Sequence, residues 1–387
     1  MEYSPVTPLS SPTEVTQAWL EQVLRHKLGS SLKLNSWSVK LPETKSGYMS
    51  EVCFIQAYFS TREGAPEEKL SLFAKFMPYE KVLLDIMKTC CLAEREVEFY
   101  KHAFSREFRD FCETSGVHHP VPEVYWAGLE DSKMTIVLQD LCSDGLRLSA
   151  SVEGNSLKQI KCVLATLAVI HGSGIAIIQN QERHAWDIPL DISSFENYVV
   201  DGINKQIKIF EGTPTVNTLK ALLPLRSELF SVEKKHPFLK SIIHSDLWAA
   251  NVMFSQDDQH ACIFDWQFCR IGNIVCDIMT LLLMSAEVSC YTEHLTEILE
   301  SYWKCLEQSL QSNGVTLDES LQDFLCNFES MWMYGYTFFS ASLPDLLKSH
   351  INENRVRSAI LFLEEKSVFK NFLSDIYKQG INKIGNV

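Results

Sequence analysis

Apolar residues recur with a helical period near the start of the chain. Trp19, Leu20, Val23, Leu24 and Leu28 fall on one face. Ser11-Pro12-Thr13-Glu14 reads as a capping box with proline at the first helical position, and Gly29 as the stop. The pattern then shortens. Residues 32–39, 51–59 and 70–76 alternate or run apolar between turn residues and predict strands, with a turn at 61–66. A helix is predicted over 83–104, and strands over 121–128 and 135–138. Beyond Asp140 the helical period returns over 156–177, 195–210 and 216–230. A strand pair within 242–264 interrupts it, and helices resume from Asp277. A sheet-rich front joined to a helical back predicts an α+β fold of two lobes: residues 1–138, a hinge at 139–144, and 145–387. A ligand is expected in the cleft between them.

Composition narrows the classes. Of 387 residues, 46% are hydrophobic and 22% charged, which excludes wholesale disorder. The net charge of −14 argues against general nucleic-acid binding, which needs lysine and arginine to neutralise phosphates. Twelve cysteines are scattered without a Cys-x-x-Cys, so they read as reduced thiols of a cytoplasmic protein. The polar start is no signal peptide, and no apolar run was expected to approach the ~20 residues of a membrane span. The longest candidate, 274–284, carries Asp277, so no membrane insertion is expected.

One segment carries chemistry. Residues 242–254 contain His244-x-Asp246-x-x-x-x-Asn251, and after a turn the strand 261–264 ends in Asp265-Trp266-Gln267. Two loops joined by a hairpin can bring Asp246, Asn251 and Asp265 to one point. Phosphoryl transfer needs such a set: a carboxylate to accept the proton of an attacking hydroxyl, for which Asp246 is placed, and hard oxygen ligands for Mg2+, from Asn251 and Asp265. The front lobe should supply a phosphate-pairing lysine, and Lys75 lies inside an apolar strand. Among Glu94, Glu96 and Glu98, Glu96 is the expected partner of Lys75. The segment 46–51 would cover the phosphates, with Gly47 and Ser50 contributing, although it has a single glycine. The connector at Gln139 and Leu141 would offer backbone groups to an adenine edge. Asp277 would accept backbone N–H bonds from the catalytic loop or cap its own helix.

These pieces resemble a known family. Glu96-Val97-Glu98-Phe99-Tyr100, Leu167-Ala168-Val169-Ile170-His171, His244-Ser245-Asp246-Leu247-Trp248 through Asn251, and Phe264-Asp265-Trp266-Gln267 with Asp277 are similar to the ecdysteroid kinase-like family. That family lies within the superfamily of aminoglycoside phosphotransferases and choline kinases. The resemblance implies a bilobal protein-kinase-like fold with a small β-rich N-lobe and a larger, mostly helical C-lobe. It implies ATP and Mg2+ as cofactors and a small-molecule alcohol acceptor, an ecdysteroid or related steroid. A choline/ethanolamine- or aminoglycoside-type acceptor is the alternative within the class. A nucleotide-binding pseudokinase and a metal-dependent hydrolase are the alternatives outside it. A protein kinase would carry Asp-Phe-Gly, a glycine-rich loop and Ala-Pro-Glu, none of which occurs. Three positions depart from the family: Ser245 where glycine is usual, Gln139 where an acid is common, and no proline before Asp277. Serine substitutes readily if its backbone angle is ordinary. His171 reads as a satisfied core histidine. The aromatic run 324–339 reads as helix core or as a wall of the acceptor pocket.

Overall fold

Five antiparallel strands form one sheet: β1 (Lys33–Lys40), β2 (Glu51–Ser60), β3 (Glu68–Phe76), β4 (Val124–Glu130) and β5 (Lys133–Gln139), in the order β1-β2-β3-β5-β4. The computed structural model describes residues 6–43, 49–62, 64–149, 151–180, 186 and 195–384, so Gly47 and part of the expected phosphate-covering loop lie outside the described residues. Side chains alternate across a strand. Leu72, Ala74 and Phe76 of β3 therefore share one face, and it is sealed by Trp19, Leu20, Val23 and Leu24 of the first helix, α1 (Gln17–Leu28). Lys75 lies between Ala74 and Phe76 and is thrown to the opposite face.

That opposite face meets α3 (Leu92–Phe104), which follows α2 (Lys81–Thr89) and precedes α4 (Arg106–Thr114). The single helix expected over 83–104 is thus two. The break falls at Cys90-Cys91, where Cys91 takes a left-handed φ of 52°. Nor does α1 begin at Ser11. Pro12–Glu14 is a separate 3-10 turn, and Thr16 caps α1 by accepting from the Trp19 N–H at 3.3 Å. Leu28, expected on the buried face, is 38% exposed.

The remainder is mostly helical. After β6 (Arg147–Leu148) come α5 (Leu157–Asn180), α6 (Glu196–Ile209), α7 (Thr215–Leu222), α8 (Arg226–Leu229) and α9 (Val232–Lys235). The helix expected over 216–230 is interrupted at Pro224, inside a 3-10 turn, because proline lacks the N–H that would continue the ladder. Next lie β7 (Lys240–Ile243), β8 (Val252–Phe254), β9 (Ala261–Ile263) and β10 (Arg270–Asn273). The strand expected at 242 does not pair with the one at 261. β7 pairs with β10, whereas β8 and β9 form the hairpin, extended by β6.

The chain ends in α10 (Val275–Ser285), α11 (Val288–Thr292), α12 (Leu295–Ser312), α13 (Leu321–Ser330), α14 (Trp332–Ser349), α15 (Glu353–Glu365) and α16 (Val368–Ile384). Phe324, Phe328, Trp332, Tyr334, Tyr336 and Phe339 are all buried in the main core. These six rings are therefore core packing, whereas Leu325 and Phe338 of the same run are half-buried. One expectation about length also fails. Leu157–Gln179 is long and apolar enough to cross a membrane, and it is the one such helix among the described residues. Two-thirds of its most apolar stretch is buried inside the protein. It lies against β7, where Gly174 permits the approach: a Cβ there would stand 2.7 Å from the Ile242 backbone nitrogen.

Candidate active site

The site assembles on three supports: β3, α3, and the two loops around the β8–β9 hairpin. Lys75 Nζ lies 2.9 Å and 2.7 Å from the two Glu96 carboxylate oxygens and 2.5 Å from Oδ1 of Asp265. Lys75 is 7% exposed and Glu96 1%, so this bridge between the sheet, α3 and the second loop is nearly dry. Glu94 is exposed, and Glu98 pairs with Lys101 at the surface. Burial works to strip the proton from Lys75, but Asp265 and Glu96 overcome it and raise its pKa. Burial also pushes Glu96 up while the lysine pulls it back, so the ionisation of Glu96 depends on Lys75 staying in place.

α3 is tied to the Asp265 loop on both sides of Glu96. Phe99 stacks on Trp266 with centroids 3.8 Å apart and planes 7° apart. Arg95 donates to the Cys269 carbonyl at 3.1 Å and to that of Cys90 at 3.0 Å. Asp265 itself takes a left-handed φ of 64°, which turns the chain from β9 into the short 3-10 turn Trp266–Phe268.

The first loop is held from beneath. Oδ2 of Asp277 accepts from the His244 N–H at 2.6 Å, and Oδ1 from the Ser245 N–H at 2.8 Å. His171 completes the set, with Nε2 3.2 Å from Asp277 and Nδ1 2.7 Å from the Tyr302 hydroxyl. Asp277 sits in the first turn of α10 but spends its oxygens on the loop at His244-Ser245, not on its own helix. Burial alone would raise it; His171 and His244 hold it below the usual carboxylate range. His171 is a fully buried core histidine.

Above this base lies Asp246. The Asn251 side-chain amide donates to its backbone carbonyl at 2.8 Å and to Oδ2 at 3.3 Å. That bond fixes the Asn251 amide, whose own oxygen accepts nothing among the described residues. Burial and the nearby charge of Asp265 push Asp246 up to about 7, against the hydrogen bonds of Asn251 and Trp248. Trp248, half-buried, also packs edge-on against His350, with centroids 4.9 Å apart. Trp248 falls within a motif quoted above but was given no role there, and sequence reasoning did not single out His350. The signal for Trp248 was its place two residues after Asp246.

Ser245 corrects an assumption. Its φ is 65°, in the left-handed region that favours glycine, so the exchange is not neutral. Its hydroxyl is buried without a hydrogen-bond partner. Of the remaining residues, Ser50 is buried just before β2, and its hydroxyl is likewise unpartnered. At the connector, both ends of the Gln139 side chain are engaged: Oε1 accepts from the Glu123 N–H at 3.1 Å and Nε2 contacts Asp144 at 2.5 Å. The Leu141 carbonyl accepts from the Leu146 N–H at 3.0 Å, while the Leu141 N–H meets no protein acceptor among the described residues. A groove of about 850 Å³ lined by Val117, Lys158, Lys161, Cys162 and His260 contains none of these groups.

A mixed α+β chain, sheet-rich at the front and helical behind, with a lysine–glutamate pair facing a His-x-Asp-x-x-x-x-Asn loop, has the layout of a kinase-like phosphotransferase. The chain belongs to the ecdysteroid kinase-like family, whose pattern it matches over residues 44–315, and membership makes it an enzyme of the small-molecule kinase class. Solved structures are similar in fold at low identity. A Plasmodium vivax ethanolamine kinase is 13% identical over 92% of this chain and 90% of its own, with a TM-score of 0.41. The choline kinase LicA from Streptococcus pneumoniae is 13% identical over 92% and 99%, with a TM-score of 0.38. An aminoglycoside phosphotransferase from Streptomyces rimosus, in complex with ADP and streptomycin, is 13% identical over 74% and 90%, with a TM-score of 0.34. Comparison with curated protein sequences gives no match.

Proposed function

We propose that the protein is an ATP- and Mg2+-dependent kinase that phosphorylates an alcohol hydroxyl of a small molecule, with an ecdysteroid or related steroid as acceptor. One observation carries the reaction type. Lys75, braced by Glu96, converges on Asp265, across the hairpin from the Asp246–Asn251 pair. Bound Mg-ATP would supply the phosphoryl group and the charge that neutralises it. The donor set fits a hard cation: the uncommitted Asn251 amide oxygen and the Asp265 carboxylate would hold it. Lys75 then pairs with the α/β phosphates, and its charge is kept by two carboxylates. The Leu141 N–H and the Gln139 carbonyl read the adenine edge, since the Gln139 side chain is fully occupied by Glu123 and Asp144.

Asp246 orients the acceptor hydroxyl and takes its proton. A carboxylate near neutrality is a better base for that step than one near 4, because it holds the transferred proton more firmly. The steroid acceptor rests on the family alone.

Mass spectrometry after incubation with Mg-ATP and a panel of ecdysteroids, sterols, choline, ethanolamine and aminoglycosides tests both parts, with Asp246→Asn as control. A phosphorylated ecdysteroid formed only by the unmutated protein is expected. A phosphorylated amine instead would keep the mechanism and overturn the acceptor. ATP binding without product on any acceptor would overturn catalysis in favour of a pseudokinase.

A further inference from the structure

Asp265 offers two carboxylate oxygens, and only Oδ1 meets Lys75. Oδ2 accepts from the side-chain amide of Gln267 at 3.3 Å. Gln267 is 5% exposed, and its Oε1 is buried with no hydrogen-bond partner. The amide cannot simply be turned over, because that would set its oxygen against a carboxylate. The turn that carries it is fixed as well: Trp266 is stacked on Phe99, donates to the Ile263 carbonyl at 3.1 Å, and accepts from the Cys269 N–H at 3.1 Å. A buried amide oxygen left without a donor, on a residue locked to the candidate metal ligand, points to a donor that arrives with the loaded site.

We propose that Gln267 is a positioning residue of the metal site: its N–H fixes Oδ2 of Asp265, and its Oε1 accepts a hydrogen bond from a water bound to the metal. The reach is adequate. Nitrogen and oxygen of one amide are about 2.3 Å apart, so Oε1 lies within about 5.6 Å of Oδ2. Water beside a carboxylate on a cation with bonds of about 2.1 Å sits about 3 Å from that carboxylate, between the two groups. The remaining residues of the Asp-Trp-Gln turn then divide the work, with Trp266 packing and Gln267 ordering the outer coordination. This inference rests on the functional reading above.

The test is binding, not turnover. Mn2+ affinity is measured by electron paramagnetic resonance in the complex with a non-hydrolysable ATP analogue, and analogue affinity is measured separately without metal. Gln267→Leu should weaken Mn2+ about tenfold, the usual scale for an outer-shell partner, and leave metal-free analogue binding within twofold. Gln267→Glu keeps an acceptor oxygen but gives up the N–H that fixes Oδ2 of Asp265, so its Mn2+ loss should be smaller than that of the leucine variant. Unchanged Mn2+ affinity in the leucine variant, or equal loss of analogue binding without metal, overturns the proposal. If the leucine variant fails to fold, unchanged Mn2+ affinity in Gln267→Ala overturns it equally. An unmutated protein that binds neither metal nor analogue defeats the functional reading itself, which separates the two failures.

Discussion

Two aspartates, Asp246 of the loop after β7 and Asp277 of α10, are treated in opposite ways. Asp277 is fully buried, yet two backbone N–H groups and His171 surround it and hold its pKa down. Asp246 is half-buried, with Asn251 and Trp248 as its donors and Asp265 nearby, and it is pushed up to about 7. Burial acts on both in the same direction. Neighbouring charges and hydrogen bonds decide between them: His171 and His244 favour the anion at Asp277, whereas the charge of Asp265 opposes it at Asp246. A carboxylate saturated with donors is a fixed anion and serves as scaffold. One left short of donors beside another acid changes its protonation easily, and that is what proton transfer requires.

If this division is correct, the largest effect falls on the under-satisfied member. Asp246→Asn should lower the rate by about 10³-fold, within the 10²–10⁴ range for a positioned base, and leave nucleotide affinity nearly unchanged. Steady-state rates and calorimetric nucleotide binding check this. A loss below tenfold would remove Asp246 from the role of base. Asp277→Asn should instead cost stability, about 2–4 kcal/mol, because an amide nitrogen would face a buried backbone N–H. Denaturant unfolding measures it. Asp277 is depressed in the folded state, so its contribution is present above the unfolded value near 3.9 and is lost as pH falls through the lower folded value. The deficit of the variant should therefore shrink in acid.

The pH dependence of Asp246 has the other sign. Its folded pKa is raised, so ionising it in the folded protein costs stability as pH rises from the unfolded value towards about 7. Asp246→Asn should then melt higher than the unmutated, nucleotide-free protein at pH 8, by about 2–4 °C, and nearly equally at pH 4, close to the unfolded value. A gain of the same size at both values would mean the relief is steric. It would not then be electrostatic, and the contrast with Asp277 would fail.

Much of this was legible in the chain and some was not, for reasons that can be named. Lys75 stood out because a charge inside an apolar strand has few uses, and the strand period put it opposite Ala74. Glu96 was separable from Glu94 and Glu98 because Val97 and Tyr100 marked the inward face. Where the reading slipped, tertiary packing had outweighed local pattern. The aromatic run 324–339 left helix core and pocket wall both open, and only its neighbours in the core favour the first. The helix break at Cys90-Cys91 has no glycine or proline to announce it. β7 looked like the partner of β9 because they are close in sequence, but β10 lies closer in space. Gln267 was quoted as part of a motif without a role, since a free amide oxygen is invisible without coordinates.

The smallest expected effect concerns the residue between His244 and Asp246. A left-handed φ costs a non-glycine residue about 1–2 kcal/mol, and an unpartnered buried hydroxyl costs more. Glycine would relieve both but lose backbone entropy worth roughly 0.5–1 kcal/mol. The balance predicts that Ser245→Gly stabilises by about 1 kcal/mol. Ser245→Ala removes the hydroxyl but keeps the strained angle, so the difference between the two variants isolates the backbone contribution. What holds the strained turn in place is Asp277, through the Ser245 N–H. Combining Ser245→Gly with Asp277→Asn should therefore cost less than the single changes added together, because a glycine needs less holding. Strict additivity in that double-mutant cycle would mean that Asp277 anchors the loop without bearing its strain, and the scaffold role would then rest on the His244 bond alone.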